Sequence, residues 1–209
     1  MSAARAQGAL DAHDAAGFHS VAEPGRRWGH CARDAGWALE SRIHGVADGA
    51  EWIRLQSREV FGDQADVLVD FYHVSEYLAA AAAVCRPTSP RSWLHTQQKR
   101  LRRGAPLRVI EAMEPFAEAG DDDSDDPPVR AAIRYLRHRL ECLDYPGAIS
   151  RGLPIGRGLI ERGHKHVLQA GSKRPEARGC PTNADALAQL RVLRANHQWE
   201  AYWEDQRAA

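Results

Sequence analysis

Three carboxylates and two histidines stand where they could do chemistry. Asp48 ends the run "IHGVAD", Asp70 falls within "DVLVDFYH", and Glu161 lies in "GRGLIERGH". Asp70 and His73 are three residues apart, as are Glu161 and His164, which is the acid-histidine spacing that helical bundles use to hold paired metal ions. A helical dimetal carboxylate protein is therefore one candidate, although two further bundle glutamates are not evident. The plain alternatives are a turn residue for an aspartate before glycine, as in Asp48-Gly49, and a solvated side chain for a glutamate on an amphipathic helix. A different chemistry is carried by charge. The stretch "RSWLHTQQKRLRRGAPLR" holds six basic residues and no acid, and a face built from Lys99, Arg100, Arg102 and Arg103 suits the phosphates of DNA. Its alternative is a solvated helix balanced by the aspartates of residues 121–126.

These groups need elements to hold them. Residues 43–47 read as a short strand, residues 50–60 as a helix with Trp52 and Ile53 on its apolar side, and residues 66–71 as a second strand in the run that ends at His73. Such a β-α-β order favours parallel strands. Beyond it the pattern turns helical. Val74, Tyr77, Leu78 and Ala81 recur at helical spacing, and Ser89 with Pro90 has the form of an N-cap and first-turn proline for a helix that Gly104 closes. "VRAAIRYLRHRLECL" reads as one helix with Val129, Ile133, Leu136, Leu140 and Leu143 on one stripe. A glycine-punctuated turn then leads into a helix bearing Glu161. A Leu-rich helix begun near Asn183 follows, with Leu187, Leu190 and Leu193 inward and Trp199 and Trp203 after it. Residues 1–40 keep neither strand nor helix period for long, which predicts loop or disorder with short helical turns at most.

Composition narrows the classes. A chain of 209 residues with 44% hydrophobic content supports one domain, or one domain with an insertion. Its 28 basic and 28 acidic residues cancel, so any nucleic-acid contact rests on local patches. Four widely spaced cysteines without a C-x-x-C pair or a secretory leader predict free thiols in a reducing cytoplasm. The longest apolar run, "LAAAAAV", is far short of the roughly 20 residues of a membrane span, so a soluble protein with no membrane partner is expected. "GDDDSDDPP" reads as a solvated loop, because contiguous acids repel and no calcium-loop pattern is completed. "GLPIGRGLIERG" lacks the Gly-Lys-Ser/Thr ending of a phosphate loop and places Glu161 where the dinucleotide pattern needs glycine.

Taken in order, "VADGAEWI", "VDFYHVSEYL", "GLPIGRGLIERGHKHVLQ" and "NADALAQLRVLRANHQWEAYW" resemble the catalytic half of bacterial insertion-sequence transposases of the ISKra type, relatives of the Mutator-like DDE enzymes. The resemblance runs from about Ile43 to Trp203. It implies an α/β, partial RNase H-like fold, mostly helical overall: a short β-α-β unit, an all-helical insertion, and a C-terminal helix carrying the last acid. The implied domains are a poorly structured segment at 1–40, a catalytic part at 41–73 and 150–203, and the insertion at 74–149. The implied activity is DNA transposition by two-metal phosphoryl transfer, in which three acids hold two magnesium ions that activate water or a DNA 3′ hydroxyl. Asp48 corresponds to the second acid and Glu161 to the third, both catalytic and both metal ligands. Asp70 and His73 correspond to a "Cys or Asp, two residues, His" element that supports the site. Lys173 and Arg174 keep the basic character of a DNA-handling stretch in the family.

The first acid belongs on a strand before "VADGAEWI". In residues 1–40 only Asp11, Asp14 and Asp34 are available, and none follows an apolar strand-like run. The expectation is a truncated or frame-shifted transposase, inactive alone, in the cytoplasm with the nucleoid. Its expected partners are double-stranded DNA at transposon ends and a full-length transposase or a second copy. A non-catalytic remnant that binds DNA or interferes with a full-length transposase is the alternative.

Overall fold

The computed structural model describes residues 22–119, 127–156, 181–195 and 197–208. The chain divides into two compact units: Met1–Ser41 with Glu59–Phe61 and Gly158–Ala209, and Arg42–Arg58 with Gly62–Arg157.

The first unit opens with a helix that the sequence reading missed, α1, Ala22–Asp34. Pro24 lies in its first turn, where the absent N–H is not needed. Gly25 and Gly29 are buried one turn apart, and a Cβ on Gly29 would stand 3.2 Å from Val60 Cγ1. Glycine lowers helix propensity, so a helix whose packing face is glycine has no apolar stripe to read. In the same unit Trp37 meets Phe61 edge to face, with ring centroids 5.3 Å apart.

The second unit is a mostly helical α/β body around a two-strand parallel sheet. Strand β1, Ile43–Ala47, and helix α2, Glu51–Phe61, lead to strand β2, Ala65–Val69. The strands pair in parallel from Ile43 opposite Ala65 to Ala47 opposite Val69. Leu68 and Val69 are both buried, as expected of a parallel strand covered on both faces.

Strand β2 ends earlier than the alternation of "DVLVDFYH" suggests. Asp70 Oδ1 accepts the N–H groups of Tyr72 at 2.7 Å and His73 at 3.3 Å, which makes Asp70 the N-cap of helix α3, Phe71–Cys85. Phe71, Tyr72 and His73 are therefore the first helical turn and not strand. An N-cap aspartate satisfies N–H groups that the helix leaves open, and this outweighs the strand preference of the aromatic pair.

Phe71, Val74, Leu78, Ala81, Ala82 and Cys85 form the buried stripe of α3. Helix α4, Pro90–Arg102, starts on its proline, but Ser89 makes no side-chain capping bond. Gly104, at φ +74°, turns the chain out of α4 with its N–H on Leu101 O at 2.9 Å. Short helix α5, Pro106–Glu111, follows. Helix α6 runs only over Pro128–Arg137, so "VRAAIRYLRHRLECL" is not one helix. The chain breaks at His138 and Arg139 into a 3-10 turn at Leu140–Cys142, leaving Leu140 exposed while Leu143 is buried. The break frees Arg139 to reach Gly49, and Asp144 caps a new helix, α7, Tyr145–Ser150, by accepting Gly147 N–H at 3.0 Å. Phe71, Leu78, Leu101, Met113, Leu136 and Tyr145 are fully buried in one core.

The Tyr145 hydroxyl donates to Val69 O at 3.1 Å. Burial first, then the nearby Tyr135, Asp70 and Cys142, push its pKa above the ordinary 10.0. The phenol stays neutral in the folded chain at a pH where it ionises in the unfolded one. Its contribution is thus complete below about pH 10 and declines as pH rises, by up to about 1.4 kcal/mol per pH unit. Tyr145→Phe is expected to flatten this alkaline decline in urea unfolding and to lose about 1 kcal/mol at neutral pH with the hydrogen bond; an unaltered alkaline slope would refute it.

The first unit closes with α8, Pro181–Ala195, and α9, Trp199–Ala208. Leu190 and Leu193 are half-buried, but Leu187 is 58% exposed and does not face inward. Trp199 and Trp203 meet edge to face at 5.6 Å. Among the described residues no helix is long and apolar enough to cross a membrane, and Cys31, Cys85 and Cys142 are free thiols. The aspartates of 121–126, Glu161, His164, Lys173, Arg174 and Cys180 lie outside the described residues.

Candidate functional site at the strand ends

The strand register brings two of the expected acids together. Ala47 stands opposite Val69, so the next residue on each strand, Asp48 and Asp70, falls at the same carboxyl end of the parallel pair. Crevices outside the carboxyl ends of parallel strands are where open α/β sheets place ligands. The pairing continues one step further, because Asp70 N–H donates to Ala47 O at 2.6 Å.

The two carboxylates differ in what they are free to do. Asp70 is 2% exposed, and its Oδ1 is taken up by the cap of α3. Asp48 is half-buried; its Oδ1 accepts Ala50 N–H at 3.0 Å, and its Oδ2 has no hydrogen-bond partner among the described residues. His73 is oriented by Glu76, with Nδ1 and Oε2 3.2 Å apart.

Around these acids lies an aromatic and cationic brace. Tyr135 donates its hydroxyl to the carbonyl of Asp48 at 2.6 Å, and Arg139 donates Nε–H to the carbonyl of Gly49 at 2.8 Å. The Arg139 guanidinium lies over the Tyr135 ring at 4.1 Å. Tyr77 stacks on Tyr135 with centroids 4.2 Å apart, and His73 meets both rings edge to face at 5.5 and 5.7 Å. Burial pushes the Tyr135 pKa up, helped by Tyr77, Asp48 and Asp70 and opposed by Arg139. Tyr135 is therefore a neutral donor that fixes the backbone of Asp48 and carries no charge of its own. Sequence reading missed Tyr135 and Arg139, whose one signal is an aromatic and an arginine four apart on a helical pattern.

A third segment reaches the strand ends. Phe71 N–H donates to Ile155 O at 2.9 Å, and His44 Nε2–H donates to Pro154 O at 2.8 Å. A Cβ on Gly156 would lie 2.6 Å from the Tyr72 ring and 3.6 Å from Asp70 Oδ1, so the start of the glycine-punctuated turn passes directly over the cap.

The basic stretch divides. Lys99 and Arg102 are exposed on α4 and Arg103 at its C-cap, whereas Arg100 turns to Gln97 Oε1 at 3.0 Å and Arg108 O at 3.2 Å. The Arg102 guanidinium lies over the Phe71 ring at 4.5 Å, which places this one cation of the stretch beside the residue that follows Asp70.

Asp48 offers a hard oxygen of the kind magnesium prefers. Among the described residues, however, no group of three or more His, Cys, Asp or Glu could hold an ion. They supply one carboxylate oxygen without a hydrogen-bond partner among the described residues, short of a complete metal site. A small cavity of ≈ 80 Å³ beside Asp48 is lined by Gly49, Val69, Arg139 and Cys142. A larger cleft of ≈ 650 Å³, lined by His44, Arg54, Asp66, Glu141 and Arg151, includes neither Asp48 nor Asp70. Its charges lie near one another, with Arg151 and Asp66 3.8 Å apart, and the strand ends are the better chemical candidate.

Comparison with protein-family models, with curated proteins and with solved structures found no match.

Proposed function

We propose that the chain is the DDE-type catalytic portion of a DNA transposase with a partial RNase H-like fold, acting on DNA phosphodiester bonds. The observation that carries this reading is the parallel register that sets Asp48 and Asp70 at one sheet end, with Arg102 of α4 over Phe71, the residue after Asp70. In this reading Asp48 is a magnesium ligand, and Asp70 with His73 supports it by capping α3. Glu161 is the second ligand in this reading; it follows Gly156 by five residues. When bound, magnesium would polarise the phosphodiester and lower the pKa of the attacking water or hydroxyl. The chain's own residues fix the Asp48 backbone through Tyr135 and Arg139 and neutralise DNA phosphates through Lys99, Arg102 and Arg103. No first acid is assigned, and the chain alone is proposed not to complete strand transfer.

Two measurements test this. Duplex DNA binding is expected to weaken steeply with salt, and Lys99→Ala/Arg102→Ala/Arg103→Ala is expected to lower the slope by up to about 2.7, from about 0.9 per lost phosphate contact. Manganese, a paramagnetic stand-in for magnesium, is expected to bind about tenfold more weakly to Asp48→Asn. Equal manganese affinity in the two proteins would end the metal role of Asp48.

A second reading, a DNA-binding or transposase-interfering protein without catalysis, rests on the same exposed cations and requires no metal. Magnesium-dependent cleavage of DNA, lost in Asp48→Asn, would exclude it. The dimetal carboxylate reading is weakened because Asp70 is enclosed in the α3 cap; two equivalents of iron or manganese per purified chain would restore it.

A further inference from the structure

The cleft between the end of α3, the outer side of α4 and the turn after α5 has a chemistry separate from the strand ends. We infer that it is a phosphate-ester site that takes a nucleotide unit. Its volume is ≈ 340 Å³, within the range of small-ligand sites. Arg86, Ser89, Ser92, Thr96, Gln97 and Arg100 supply its polar wall. That wall holds two guanidinium groups, three hydroxyls and one carboxamide, and no carboxylate competes with an anion there. Guanidinium groups match phosphate oxygens in pairs.

The wall is organised in advance. Gln97 is 2% exposed and accepts from Arg100 Nη1 at 3.0 Å, while the same nitrogen donates to Arg108 O at 3.2 Å. Arg100 is thereby held at the base of the cleft with its other nitrogens left over. Arg86 caps the end of α3 through its backbone and, among the described residues, its exposed guanidinium makes no hydrogen bond or ion pair. The Ser89 hydroxyl makes no capping bond and is available as a donor. Thr96 is held by its bond to Ser92 O at 3.0 Å. Two rings, Trp93 and the 40% exposed Phe116, line the same cleft. Paired arginines beside open aromatic surface are the combination that binds a phosphate and stacks its base.

Titration calorimetry on the full chain without divalent metal tests this apart from the metal reading. The probes are AMP, inorganic phosphate and a 5′-phosphorylated oligothymidylate. AMP or the oligothymidylate is expected to bind more tightly than inorganic phosphate. Arg86→Ala, which removes a side chain the fold does not use, is expected to weaken that binding about tenfold. Lys99→Ala/Arg102→Ala/Arg103→Ala is expected to leave AMP binding unchanged. Oligothymidylate binding that Arg86→Ala weakens, without AMP binding, identifies a nucleic-acid strand as the source of the phosphate, and AMP binding that Arg86→Ala weakens identifies a free nucleotide; either supports the site. Absence of binding by both overturns it, as does AMP and oligothymidylate binding that Arg86→Ala leaves unchanged, which would mark diffuse attraction.

Discussion

Gly49→Ala is expected to cost about 3 kcal/mol in urea unfolding, far more than the loss of a glycine at an ordinary turn. Gly49 holds φ +79°, and a Cβ there would stand 2.6 Å from Arg139 Nε, 2.7 Å from Arg139 Cδ and 3.0 Å from the Tyr135 hydroxyl. The left-handed backbone alone costs an alanine about 1 kcal/mol, and forcing atoms into a packed site adds about 1 to 3 kcal/mol. Gly152→Ala isolates the first part: it follows the C-cap of α7 at φ +69° and nothing lies within 4 Å of the added carbon, so about 1 kcal/mol is expected. The Arg139→Ala background isolates the second, because removing the obstructing side chain should make Gly49→Ala cheaper, a coupling read from the double-mutant cycle. Equal costs for Gly49→Ala and Gly152→Ala would show that the brace over Asp48 is not rigid.

The brace explains what the sequence disclosed and what it concealed. Asp48, Asp70 and His73 were visible because each interrupts or ends a short apolar run, and a register of parallel strands follows from β-α-β order. Tyr135 and Arg139 contact the site across 87 and 90 positions, and no local period announces such contacts. The β1 and α2 boundaries were legible from the apolar run before Asp48-Gly49 and from the helical spacing after it. The end of β2 was not, because Asp70 belongs to both elements: its N–H extends the strand ladder and its side chain starts the helix. The break after Arg137 was hidden for a related reason, since the leucines continue a helical stripe while Arg139 is drawn to Gly49 O. The glycine face of α1 defeated an apolar count altogether.

The division of labour between the two strand-end acids can be separated by substitution at Asp70. Asp70→Ala removes the acceptor for Tyr72 and His73 N–H at a residue that is itself 2% exposed. Loss of an N-cap costs about 1 to 2 kcal/mol, and burying an unsatisfied donor adds to it, so about 2 to 3 kcal/mol is expected in urea unfolding. Asp70→Asn keeps an oxygen acceptor in the same place and is expected to lose under about 1 kcal/mol. It also removes a charge that helps to raise the pKa of Tyr135 and Tyr145, so tyrosinate absorbance should appear at a lower pH than in the parent. If Asp70 only supports the site, Asp70→Asn retains the manganese binding that Asp48→Asn loses. If Asp70→Asn abolishes that binding while unfolding normally, Asp70 is itself a ligand and the asymmetry drawn between the two acids is wrong. The cap interaction is the reason to expect the first outcome: a carboxylate already shared between two backbone N–H groups has less charge density left for a cation than one that accepts a single N–H.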